Sequence, residues 1–142
     1  MTNDDFINDC YELEGTMKSV SFENLQVYQL AERLSVSVWK AVSGWERLAR
    51  DTVGVQLIRS SDSIGANIAE GSGRGTFLDN KRFVRIARGS LYETRHWLRQ
   101  AFHRGLLSDK QIADFKQLVD ELNPRLNAYL HSIGTKSSTN DQ

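Results

Sequence analysis

The chain is expected to be an all-α protein, an up-and-down four-helix bundle, and three observations lead there. Apolar residues return every three or four positions in four separate segments, the period of a helix with one buried face. Caps and glycines stand between those segments. The 142 residues give room for one domain with a real core, and one proline and ten glycines are too few for a loop-rich chain.

The first helix is expected over residues 21–43, opening at Ser21 as N-cap and stopping near Gly44. Its stripe is Val27, Ala31, Leu34, Val38, Ala41 and Trp45, in steps of four and three. The second covers 51–70, with Val53, Leu57, Ser61, Ile64 and Ile68 on one face. Ser60, Ser63, Gly65, Ala66 and Ala69 make it thin, so a neighbouring backbone can come close and it should be the most enclosed helix. Gly65 lowers helix propensity by roughly 1 kcal/mol relative to alanine, so packing must hold that turn.

The third helix spans 76–104, from the Thr76 cap to Gly105. Val84, Ala87, Leu91, Thr94, Leu98 and Phe102 form its core stripe. A second stripe, Phe83, Ile86, Ser90, Trp97 and Ala101, widens the apolar face beyond what a one-sided helix needs, which points to another subunit. The fourth spans 109–133 behind Ser108-Asp-Lys-Gln111, a capping-box pattern. Ile112, Phe115, Val119, Leu122, Leu126, Tyr129 and Ile133 keep phase across Pro124, so a kink is expected there rather than a break.

Zero net charge conceals an asymmetry. Residues 1–17 carry five acids and no base, whereas residues 18–134 carry 17 basic and 12 acidic residues. Residues 1–20 are expected to be an acidic flexible arm and 135–142 a disordered tail. No apolar run reaches the roughly 18 residues of a membrane span. The N-terminus has acids where a signal peptide has bases, and Cys10 has no second cysteine to pair with, so a cytoplasmic protein is expected.

The segment Gln56-Leu-Ile-Arg-Ser-Ser-Asp-Ser-Ile-Gly-Ala-Asn-Ile-Ala-Glu-Gly-Ser-Gly-Arg74 resembles the signature of the four-helix-bundle family encoded in intervening sequences of 23S ribosomal RNA genes. Phe22-Glu-Asn-Leu25, Phe83, Arg85-Ile-Ala and Gly89-Ser-Leu-Tyr-Glu93 extend the resemblance over residues 22–134. The chain departs from it at Ser60-Ser61, where Arg-Ala is common, and at Gly75-Thr76-Phe77, where a charged turn is usual. The resemblance implies a ring-like homopentamer. It also implies similarity to the accessory variability proteins of diversity-generating retroelements, which bind nucleic acid and a reverse transcriptase. It supplies no active site.

The chemical signal lies on the third helix. Lys81, Arg85, Arg88, Tyr92, Arg95 and Arg99 recur in steps of four and three, one narrow row at about 100° per residue. Arg74, Arg82 and Arg104 add charge near its ends, and residues 74–104 hold eight bases against Asp79 and Glu93. Guanidinium groups so spaced suit a phosphate backbone, and Tyr92 suits stacking on an unpaired base. The competing reading is a solvated face with arginines bridging to carboxylates across subunits.

The other constellations carry less. Gly71-Ser-Gly-Arg-Gly75 follows a helix and lacks the Gly-Lys-Ser/Thr ending of a phosphate loop, so Gly71 and Gly73 read as a helix stop. Asn67 and Glu70 read as polar contacts that hold this turn or an interface, with a ligand role as the alternative. His96, His103 and His131 lack metal spacing, and Glu93-Thr-Arg-His96 is a single copy of a motif that di-iron bundles need twice. Trp39, Trp45 and Trp97 read as core or interface anchors. The serines at 60, 61 and 63 lack a base at fixed distance.

Catalytic residues, metal and cofactor are therefore not expected. The leading expectation is an oligomeric scaffold binding RNA or DNA through the third helix. The alternative is a structural module or adaptor that binds an unidentified protein.

Overall fold

A computed structural model describes residues 21–135. The acidic arm and the tail beyond Thr135 lie outside the described residues. All regular structure among the described residues is helical. Four long helices run α1 (Gln26–Ser43), α2 (Val55–Ser72), α3 (Phe77–His103) and α4 (Asp109–Ser132). Each packs on its two neighbours, α4 closing back on α1, while the diagonal pairs stay apart. This is the up-and-down square that short connections favour.

α1 ends at Ser43 with Gly44 as its C-cap, as expected, but its start differs. Ser21 precedes a 3-10 turn, Phe22–Asn24, without a side-chain capping hydrogen bond, and α1 begins only at Gln26. Phe22 packs edge-on against Tyr28, with ring centroids 4.8 Å apart, which fixes that entry. Trp45 lies past the end of the helix and is half-buried. Burial of Tyr28, with the Glu32 and Glu23 charges adding to it, pushes its phenol above the ordinary value.

The second helical run begins earlier than residue 51, at a short turn Arg47–Ala49 followed by a π-helical turn Arg50–Gly54. Gly54 is buried against α1, and a Cβ there would lie 2.6 Å from Val42 Cγ1. Val53, Leu57, Ser61, Ile64 and Ile68 are all buried, as their spacing requires. α2 is the most enclosed helix, as expected, packed on both α1 and α3, yet it keeps one outer face. Gln56, Arg59, Asp62, Ala66 and Glu70 form an exposed outer face. Burial raises the Asp62 carboxyl above its ordinary value even on this outer face.

The small residues of α2 do bring α3 close. Thr94 Oγ1 lies 2.8 Å from the Ser90 carbonyl and 3.1 Å from Ser60 Oγ, and Ser90 Oγ lies 3.0 Å from Ser63 Oγ. These hydroxyls form a polar seam inside the α2–α3 contact and satisfy one another, as buried polar groups must. Gly71 marks the closest approach, since an added Cβ would meet Asn80 Oδ1 at 2.7 Å and Phe83 Cβ at 2.9 Å.

α3 is capped by Thr76, whose hydroxyl accepts from the Asp79 N–H at 3.2 Å. Val84, Ala87, Leu91 and Thr94 are buried, but Leu98 is only partly so and Phe102 is 54% exposed. The second stripe needs no other subunit to cover most of it. Phe83 and Ala101 are buried within the bundle, Ser90 and Trp97 are half-buried, and Ile86 alone is exposed. α2 is thin enough for α3 to bury two adjacent stripes.

α4 carries the expected capping box: Ser108 Oγ accepts from the Gln111 N–H at 3.2 Å and Gln111 Oε1 from the Ser108 N–H at 2.9 Å. The helix continues through Pro124. Leu118 and Leu130 join its buried face beside the expected Phe115, Val119, Leu122 and Leu126. Leu34, Leu57, Ile64, Ile68, Leu91, Leu122 and Leu126 form the fully buried centre of the bundle.

Candidate nucleic-acid interface

The row on α3 begins as a matter of helical phase. Side chains at 81, 85, 88, 92, 95 and 99 share one edge because steps of four and three average to the helical period. Lys81 to Arg99 covers about 27 Å of helix axis at 1.5 Å per residue. Arg85, Tyr92, Arg95 and Arg99 are exposed, while Lys81 and Arg88 are half-buried. The row runs along the seam with α4, where Arg88 Nη1 donates to Asn127 Oδ1 at 3.3 Å. Arg95 lies over the Tyr92 ring, 5.7 Å from its centroid.

Among the described residues, none of Lys81, Arg85, Arg88, Arg95 and Arg99 forms an ion pair. The contrast with α4 is informative. There Lys110 meets Asp114 at 3.1 Å, Lys116 meets Asp120, and Arg125 meets Glu121 at 3.4 Å, each one turn apart. No acid stands three or four positions from any cation of the α3 row. Like charges at that spacing repel, so the row lowers helix stability.

Arg74 and Arg82 belong to a different place. Their guanidinium carbons lie 4.9 Å and 5.1 Å from the centroid of the buried Phe83 ring, and Arg82 also faces Asp79 at 3.9 Å. Both hold the α2–α3 turn, where Gly75 adopts φ 85°. Gly71 is the buried close-approach residue described above, and Gly73 caps α2 with an ordinary φ of −90°. Asn67 Nδ2 donates to the Ser63 carbonyl at 2.7 Å and lies 2.9 Å from Ser63 Oγ, so it joins the polar seam, while Glu70 points to solvent. Asn67, Glu70 and Arg74 thus have separate surroundings: Ser63, solvent and the Phe83 ring.

The tryptophans divide. Trp97 is half-buried and donates through Nε1 to Glu93 Oε1 at 3.3 Å, with His96 edge-on at 4.8 Å. Trp39 is 63% exposed on α1 and is no core anchor within this subunit. His103 packs beside Phe102 at 5.3 Å, and His131 Nδ1 lies 3.3 Å from the Asn127 carbonyl.

One feature escaped the sequence. Between the C-terminal half of α3 and the N-terminal half of α4 lies a groove of about 430 Å³. Its floor is apolar, and Arg95 and Arg99 stand on its rim. Antiparallel helices create it where Leu98 and Phe102 fall short of full burial, a separation that helical period alone does not encode.

Among the described residues the molecule is thus a helical bundle with a cationic row on α3 that no carboxylate pairs. The chain belongs to the 23S rRNA-intervening sequence protein family, which matches residues 23–128. Its fold is similar to the crystal structure of a protein of unknown function from the S23 ribosomal protein family of Bacteroides thetaiotaomicron VPI-5482. That match has a TM-score of 0.66 at 22% identity and covers 75% of this chain and 96% of the other. No curated protein matches the sequence.

Proposed function

We propose that this chain is a non-enzymatic cytoplasmic homo-oligomer that binds RNA or DNA through the basic row of α3. The carrying observation is the row's lack of carboxylate partners: five cations share one helix edge, and the described residues neutralise none of them. A row that repels itself is not explained by the stability of the bundle. Phosphate oxygens are the ligand that suits it, because arginine engages them in paired, charge-assisted hydrogen bonds.

A ring-like homopentamer is the assembly we propose, from the family resemblance. Exposed apolar side chains, Trp39, Phe77 and Leu78 among them, offer surface for it. A ring would repeat the row, so several weak contacts would act together. Sedimentation at micromolar concentration is expected to give a mass several times that of the subunit, and a stable monomer would overturn the ring.

Binding is tested by retention of labelled RNA at low salt. The parent protein should retain it, and Arg85→Glu with Arg88→Glu should abolish most of that retention while leaving the circular dichroism unchanged. Retention unaffected by both reversals would remove the row from the function. The same exposed apolar side chains favour a second reading, an adaptor for a protein partner. An absence of RNA and DNA binding at low salt would select it.

A further inference from the structure

We infer that the groove between α3 and α4 accepts unpaired bases, so that the ligand of the basic row is a single strand rather than a duplex; this rests on the nucleic-acid reading above. The groove volume, about 430 Å³, falls within the roughly 300–1,000 Å³ of small-molecule sites. Leu98, Leu107 and Ile112 line its floor, and the Phe102 ring, more than half exposed, stands at its edge. A planar base buries both faces against such surfaces, and aromatic stacking serves every base alike.

The two rims differ in charge. Arg95 and Arg99 on the α3 side are unpaired among the described residues, whereas Lys116 on the α4 side is matched by Asp120. A backbone is therefore drawn to α3, and its bases turn inward across the groove. Tyr92 lies about 15 Å along the helix from Phe102 at 1.5 Å per residue, on the basic row and about 80° round the helix from that ring. It offers a second exposed ring between the cations. A duplex fits this arrangement poorly. Its bases are paired and stacked inside, leaving phosphates alone for the row and nothing for the groove. Its backbone also winds away from a straight edge, while a single strand can follow the full row.

The test compares a short unpaired RNA of mixed sequence with the duplex of equal length, each binding the full chain at one fixed salt concentration. The parent should prefer the single strand by about tenfold or more. Phe102→Ala should weaken single-strand binding about five- to a hundredfold and leave duplex binding unchanged. Phe102→Tyr, which keeps the ring, should restore it. A fluorescent 2-aminopurine in the single strand should report stacking with the parent and lose that signal with Phe102→Ala. Equal affinity for both nucleic acids, unchanged by Phe102→Ala, would overturn the groove and leave the basic row standing. Loss of both affinities together in Phe102→Ala would also overturn it. Binding of neither by the parent at low salt would overturn the row and the groove alike.

Discussion

Three glycines in helical positions carry different consequences, and each follows from what a Cβ would meet. At Gly71 the added atom would lie 2.7 Å from Asn80 Oδ1, 2.9 Å from Phe83 Cβ and 3.1 Å from the Asn80 carbonyl, so α3 would have to move. Gly71→Ala is expected to destabilise the fold by about 1–3 kcal/mol, read as a lowered urea midpoint. At Gly89, inside α3, nothing lies within 4 Å of the added atom. Gly89→Ala should therefore stabilise by about 0.5–1 kcal/mol through helix propensity. Gly65 has ordinary contact distances, 3.5 Å to Tyr28 and 3.8 Å to Ala31, and its substitution should be tolerated. Asp62 gives the pH counterpart. Burial raises its folded-state pKa above the ordinary 3.8, so the cost of ionising it appears as pH rises from that value through the folded one. Asp62→Asn should raise the melting temperature at neutral pH, and the difference should vanish below pH 3.8. A difference that grows on acidification would contradict this.

Elements were legible in the sequence wherever local chemistry decides them. Thr76 and Ser108 cap α3 and α4 as their positions require, and the Ser108–Gln111 exchange of hydrogen bonds is complete. Ser108→Ala should cost about 1 kcal/mol in chemical denaturation, because it leaves helix-terminal N–H groups without their acceptor. Elements decided by a neighbour were not legible. The π-helical turn at Arg50–Gly54 lies where Gly54 meets Val42 of α1, a contact between two helices that neither segment's own pattern encodes. The late start of α1 reflects the 3-10 turn at Phe22–Asn24 and the Phe22–Tyr28 contact. The two apolar stripes of α3 are legible in the sequence as stripes, but their width does not by itself call for another subunit. Their width is absorbed inside the bundle by the small side chains of α2. Likewise the periodicity places Phe102 in the core, yet it stands 54% exposed beside the α3–α4 groove.

At the scale of the whole molecule, the phase of the basic row was visible in the sequence, and its lack of ion pairs among the described residues was not. Ion pairing depends on which helix faces the row, and in α4 Asp114, Asp120 and Glu121 pair with that helix's own Lys110, Lys116 and Arg125. That leaves the α3 edge as a straight cationic line beside an apolar groove, and the groove itself arises only from tertiary packing. The central claim is that this line holds phosphates. The most direct measurement is the slope of log affinity against log salt for a single-stranded RNA, compared between the parent and the double variant Arg95→Ala with Arg99→Ala. The account predicts a steep negative slope for the parent, made shallower by about 1.4 in the variant at roughly 0.7 per lost phosphate contact. A parent slope near zero, or an identical slope in the variant, would contradict it.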